Sequence, residues 1–305
     1  MRLSVTKGLP STTPSHYTKV IIDTPKFHET IEEMWRRARR ISAEGRKPEV
    51  RNCHYMPEFL MRRWATNGML CVVETETGEE RKLGLKQVGA IKDFYTTEAP
   101  AKKPDRRLVE SFLERTETET GKILATLSKK NWELSKLGKE TLALFLAVMI
   151  VRLPVVLTAI TNDYLLEWKS EWGKTDQGNP HPGNFVYRLL NNAEPFTSAG
   201  PILASLANCF YHRHVWTLVK FGPNCRIQTG DNPISLNSGN QHLHPERWQI
   251  RMPLDPYVLL TTNNTFPDGL PYPEGTCVAD PSVVLPDWNA RSEERREGQE
   301  CRSRW

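Results

Sequence analysis

Apolar residues recur at helical spacing in several stretches and at strand spacing in others, and their order along the chain predicts the architecture. Ile31, Met34, Trp35 and Ala38 share one face of a helix predicted over Thr24 to Ser42, with Thr24 and Pro25 as N-cap and first-turn proline. His54 to Ala65 begins as an extended X-Pro segment and continues as a short helix carrying Phe59, Leu60 and Trp64 inward. Met69 to Glu74 and Glu80 to Leu83 flank Thr75 to Gly78, the pattern of a hairpin. Leu85 to Ile91 suits a short helix and Phe94-Tyr95 a short strand. Beyond a Pro/Lys linker, Ala99 to Pro104, helices are predicted from Asp105 to Ser128, Lys136 to Leu153, Tyr164 to Trp172 and Asn184 to Leu190. The last third turns to strands at Val215 to Phe221, Arg226 to Thr229, Arg251 to Pro253 and Val258 to Thr262, and then becomes rich in Pro and Gly.

Strands on either side of a helical middle predict an α+β fold with a largely antiparallel sheet and a helical N-terminal extension. The expected organisation is a lead and helix over residues 1–48, a single α+β domain over 49–290, and a tail over 291–305. The tail, R-S-E-E-R-R-E-G-Q-E-C-R-S-R-W, resembles a translated sequencing-adapter oligonucleotide. It is set aside as an expected artefact, with the natural protein continuing past Ala290.

Leu142 to Ile160 is the one stretch with the look of a membrane span, since nineteen helical residues cover about 28 Å. Arg152 in its middle and Pro154 beside it make a buried core helix the expectation instead. Composition agrees with a globular protein: 38% of residues are hydrophobic and 25% charged. The net charge of +5 falls to +4 without the tail, whose five arginines face four glutamates, and so small a surplus makes no general case for nucleic acid. Without Cys301, the cysteines 53, 71, 209, 225 and 277 show no C-x-x-C spacing and no secretory signal precedes them, so reduced thiols in a cytoplasmic protein are expected.

Some local features carry little chemistry. Arg36, Arg37, Arg39 and Arg40 offer a phosphate-binding face, but a solvated helix end accounts for them better. His212-x-His214 and His242-x-His244 have the spacing of paired zinc ligands on a strand but lack a third ligand, so they are expected to be surface histidines. No P-loop, dinucleotide-binding, zincin or nucleophile-elbow motif occurs.

One set of motifs is specific. His54-Tyr55-Met56-Pro57-Glu58-Phe59-Leu60-Met61-Arg62-Arg63-Trp64 is similar to the H-Y-V-P-Q-F-Y-L-R-x-F opening of an uncharacterised bacterial family, domain of unknown function 4238. The chain also resembles that family in Lys92-Asp93-Phe94-Tyr95, the glutamates Glu110 and Glu117, Arg152-x-Pro154, Thr229-Gly230-Asp231-Asn232-Pro233 and Pro253-Leu254-Asp255-Pro256. The resemblance spans about residues 50 to 262 and implies no known reaction.

Chemistry must therefore come from the residues. Glu110, Glu114 and Glu117 lie within about 60° of one another on their helix, beside an apolar stripe of Val109, Leu113, Thr116, Thr120, Leu124 and Leu127. Arg152 shares a face with Phe145, Val148 and Met149, so its guanidinium is expected to be buried and to need Glu110 or Glu117 as partner. Asp231 sits in a turn beyond a predicted strand, and His54 precedes an extended proline segment. Together His54, Glu110, Glu117, Arg152 and Asp231 have the composition of a hydrolytic or nuclease-like site. In it Glu110, Glu117 and Asp231 would hold a divalent cation, and a phosphate-bearing ligand or nucleic acid would be the partner. The same five residues also fit a structural hub in a non-catalytic binding or regulatory protein, and the sequence leaves both readings open.

Overall fold

The computed structural model describes residues 26–45, 49–97, 105–129, 134–154, 202–237, 245, 248–264 and 275–278, of which 128, 129, 263, 264 and 275–278 as backbone only. The helices expected at Tyr164 to Trp172 and Asn184 to Leu190, the His242-x-His244 pair and the tail lie outside these residues.

The described elements run α1 (Phe27–Glu44), β1 (Asn52–His54), α2 (Glu58–Met61), β2 (Met69–Val73), β3 (Glu80–Gly84), β4 (Ala90–Lys92), α3 (Leu108–Lys129) and α4 (Lys136–Arg152). They continue with α5 (Ile202–Arg213), β5 (His214–Lys220), β6 (Ser235–Asn237), β7 (Gln249–Asp255), β8 (Val258–Asn264) and β9 (Gly275–Val278). The class is α+β. The main sheet has the order β6-β7-β8-β5-β9 and is antiparallel except where β9 runs parallel to β5. Two small antiparallel pairs, β1 with β4 and β2 with β3, stand apart from it.

At the centre is α4. Leu142 through Arg152 are all buried, as a helix apolar on every side must be, because it has no face to offer water. The Ser135 side chain starts it by accepting a 3.1 Å hydrogen bond from the Gly138 amide. α3 packs against α4 and α1 through the predicted stripe, every member of which is buried. Its first turn is closed by Asp105, whose Oδ1 accepts from the Arg107 and Leu108 amides at 2.8 and 3.0 Å. α1 contributes Phe27, Ile31, Met34, Trp35 and Ala38 to the same core, and Trp35 stacks on Phe112 of α3 at 4.2 Å between ring centroids. Helix and sheet residues thus share one continuous core. Among the described residues no helix is long and apolar enough to cross a membrane.

Several expectations are corrected. Leu85–Gln87 forms a single 3-10 turn, and the chain then becomes β4, which pairs with β1. Phe94-Tyr95 lies in a turn rather than a strand, entered through Asp93 at a φ of 56°. Arg226 to Thr229 is not a strand, because its backbone groups bond outside any ladder. The Ile227 amide donates to the Pro256 carbonyl at 2.7 Å, and the Ile227 carbonyl accepts from the Trp64 indole at 3.0 Å. α5 and the short strands β1, β4, β6 and β9 are not among the elements the pattern predicts.

Candidate functional site

Arg152, the last residue of α4, is fully buried and ties three elements together. Its Nη1 donates to Glu117 Oε1 of α3 at 2.7 Å, and its Nε donates to the Tyr55 carbonyl, just past β1, at 2.8 Å. The expected partner choice, Glu110 or Glu117, is resolved in favour of Glu117. Burial opposes the charge on Arg152, but the acidic groups around it, with the hydrogen bond to Glu117, outweigh burial and keep the guanidinium protonated.

The backbone that receives Arg152 is held by Gly89, whose carbonyl accepts from the amides of Tyr55 and Met56 at 2.9 and 3.2 Å. Gly89 has a φ of +63°, and a Cβ there would lie 2.8 Å from that of Met56, so both conformation and space require glycine.

Glu110 lies about two helical turns before Glu117 on the same face and reaches into the same hub. Burial, with the nearby Glu117 charge adding to it, pushes its carboxyl up to about 7. A hydrogen bond with the Cys53 thiol and the charge of Arg152 act in the other direction. Burial also pushes the Cys53 thiol up to about 12, which leaves it protonated and poorly nucleophilic. Tyr95 sits among these groups, fully buried, within the fields of Arg152, Glu110, Glu117 and Cys53. Its amide donates to Cys53 Sγ at 3.4 Å, and its hydroxyl donates a long 3.4 Å bond to the His54 carbonyl.

Tyr55 connects the hub to the loop that carries Asp231. Burial, together with the charge of Asp231 and a hydrogen bond to it, pushes the Tyr55 phenol up to about 12, while Asp231 itself is exposed. The neighbouring Asn232 Oδ1 accepts from the Ile234 amide at 3.3 Å and shapes the turn. Two links hold this region against the α2 segment: the indole bond of Trp64 to Ile227, and an ion pair of Arg63 with Asp255 at 3.2 Å.

The structure therefore brings Glu110, Glu117 and Arg152 into one hub. It sets Asp231 at the rim through Tyr55, and joins His54 through its backbone carbonyl. Tyr55, Tyr95 and Cys53 belong to the arrangement without having been singled out in the sequence. The only signal for them was their place in the H-Y and F-Y dipeptides of the motifs and the alternation along β1.

Two buried polar atoms at the hub, Arg152 Nη2 and Glu110 Oε1, have no hydrogen-bond partner among the described residues, and neither has His54 Nε2. Glu114 stays exposed on the outer side of the stripe. Among the described residues no group of three or more His, Cys, Asp or Glu is arranged to hold a metal ion. The donor chemistry is consistent with that, since Glu117 is committed to Arg152 and burial pushes the Glu110 carboxyl up to about 7.

The histidine expectation is corrected at one position. His214 is a buried first residue of β5, with Nδ1 bonded to Thr262 Oγ1 and Nε2 to the Pro245 carbonyl, each at 2.9 Å. His212 is exposed at the end of α5, so the two do not share a strand face.

No curated protein and no solved structure matches the chain. A family model, described as a protein of unknown function (DUF4238), matches residues 52–274, which takes in β1 through β8 and every residue of the hub. The span covers well over half of the sequence, and the chain belongs to the DUF4238 family.

Proposed function

We propose that the chain is a hydrolytic enzyme whose acid–base group is Glu110. The observation that carries this reading is the pair of open valences at the hub: a fully buried guanidinium nitrogen, Arg152 Nη2, and a carboxyl oxygen, Glu110 Oε1, neither with a partner among the described residues. A hub that only held the fold together would gain by closing both, because each unpaired buried polar group costs about 1–3 kcal/mol. In the proposed reaction the Glu110 carboxylate takes a proton from an attacking water and returns it to the leaving group. Arg152 Nη2 faces the substrate oxygen that gains charge. Glu117 positions Arg152, Asp231 with Tyr55 contacts the substrate at the rim, and His54 offers its own buried, unpartnered Nε2. Nuclease-like cleavage of a phosphodiester falls within this class, and the acid–base scheme needs no step through a divalent cation at Glu110, Glu117 and Asp231. A cytoplasmic setting is part of the same reading, supported by the reduced thiols of Cys53, Cys71 and Cys225.

A second reading is favoured by a different observation. The Arg152–Glu117 pair is sealed on the arginine side, which suits a structural hub in a non-catalytic binding or regulatory protein. The two readings separate in one experiment: hydrolysis of p-nitrophenyl acetate, bis(p-nitrophenyl) phosphate and an amino-acid p-nitroanilide by the wild type and by Glu110→Gln, with melting curves on both. Turnover of any of the three that is lost in a variant that still melts cooperatively supports the enzyme. Absence of turnover on all three, with a more stable variant, supports the structural hub.

A further inference from the structure

We propose that Asn67 is a site of spontaneous covalent modification, at which the Gly68 amide nitrogen closes on the Asn67 side chain and expels ammonia. The site lies away from the hub and is independent of the proposed function.

Thr66 to Met69 form a two-residue hairpin turn at the entry to β2. The Thr66 amide donates to the Met69 carbonyl at 2.9 Å, and the Met69 amide donates back to the Thr66 carbonyl at 3.1 Å. Between them Asn67 and Gly68 both take a positive φ, 52° and 74°, the backbone of a type I′ turn. Asparagine tolerates that conformation better than most residues and glycine takes it at no cost, so the turn itself selects the pair. Asn67 is the one asparagine in the chain that precedes a glycine.

A backbone nitrogen is a weak nucleophile, and the residue that carries it decides whether it can reach the carboxamide before it. Glycine has no Cβ to shield it. A Cβ built on Gly68 would meet nothing within 4 Å, so no neighbouring group covers the turn there. Thr66, Asn67 and Gly68 are all exposed, which admits hydroxide and water to the reacting atoms. Neither the Gly68 amide nor the Asn67 side chain has a hydrogen-bond partner among the described residues, so both are uncommitted. By contrast, Asn52 and Asn224 precede cysteines, and Asn232 precedes a proline, which has no N–H.

Hydroxide takes the Gly68 N–H proton, the nitrogen bonds to Asn67 Cγ, and the side-chain nitrogen leaves as ammonia with a proton from water. The product is a five-membered succinimide, which water opens at either carbonyl. Attack at Cγ gives aspartate. Attack at the backbone carbonyl gives isoaspartate, in which the chain runs through Cβ and Cγ and gains one backbone atom. Each product adds one negative charge, and the longer backbone of isoaspartate breaks the register of Thr66 with Met69. The two hydrogen bonds of the turn hold Asn67 in the left-handed region, so the turn opens before the ring can close.

The test is peptide mapping by mass spectrometry of the full chain, aged at pH 7.5 and at pH 8.5. Asn67→Gly, which keeps a residue suited to positive φ and lacks the carboxamide, is the control. The peptide holding Asn67 is expected to gain one dalton at least tenfold faster than the peptide of any other asparagine, and about tenfold faster at the higher pH. A protein-isoaspartate methyltransferase should label that peptide in the aged wild type and not in Asn67→Gly. The chain unfolded in guanidinium chloride gives the rate with the turn open, and the folded chain should react more slowly but measurably. Reaction in the unfolded chain with none in the folded chain would show a turn that stays shut, and would overturn the proposal. A rate shared by the other asparagines, or one indifferent to pH, would overturn it as well.

Discussion

Arg152 and Glu117 join the C-terminal end of α4 to α3 through a 2.7 Å ion pair in which the guanidinium has no exposure and the carboxylate keeps a quarter of its surface in water. Removing the carboxylate strands a charge in the core. Glu117→Ala is expected to destabilise the fold by about 3 kcal/mol, and Glu117→Gln by less because the amide oxygen still accepts from Nη1. Urea denaturation of the two variants checks the order.

Gly89 holds the strand end that accepts Arg152. A methyl group there meets both a left-handed backbone and the Met56 Cβ at 2.8 Å, so Gly89→Ala is expected to cost about 1–3 kcal/mol. The same measurement would show a cost near zero if the segment could move aside freely.

Stability should depend on pH through Glu110. Its carboxyl is raised from 4.5 to about 7 by burial, so between those values the folded state holds a proton that the unfolded state has released. The contribution is fully present below about pH 4.5 and is lost as pH rises through 7, a loss of about 3 kcal/mol by order of magnitude. Glu110→Gln should flatten that part of the profile. Denaturant midpoints at pH 5 and pH 8 for both proteins test it.

The loop bearing Asp231 is attached through Trp64, whose indole reaches the Ile227 carbonyl at 3.0 Å. Trp64→Phe removes that donor at a cost of about 1 kcal/mol. Hydrogen exchange should then quicken in residues 226–233 while α3 and α4 keep their protection.

Much of this arrangement could be read in the chain because a few residues over-determine it. An arginine at the end of an apolar helix has to find a carboxylate, and the periodicity of α3 put Glu110 and Glu117 on the right face to provide one. The stripe from Val109 to Leu127 was legible for the same reason, since burial repeats at the helical period. Tyr95 and Cys53 were not legible as members of the hub. An aromatic and a thiol look like packing groups until the charges around them are known, and those come from α3 and α4, far away in the sequence. Residues 226–229 alternate like a strand, yet tertiary partners, the Trp64 indole and the Pro256 carbonyl, take their backbone bonds. α5 went unrecognised because apolar residues crowd its sequence without a single dominant face, and it passes without a linker into β5 at His214.

The protonation of Glu110 tests the central claim most directly. Carbon-13 NMR of glutamate side-chain carboxyls, followed from pH 4 to pH 9 in the wild type and in Glu110→Gln, would isolate this group. The account predicts one carboxyl resonance with a midpoint near 7 that vanishes in the variant. A Glu110 resonance that titrates near 4.5 would show a carboxyl already satisfied or solvated, and would contradict it.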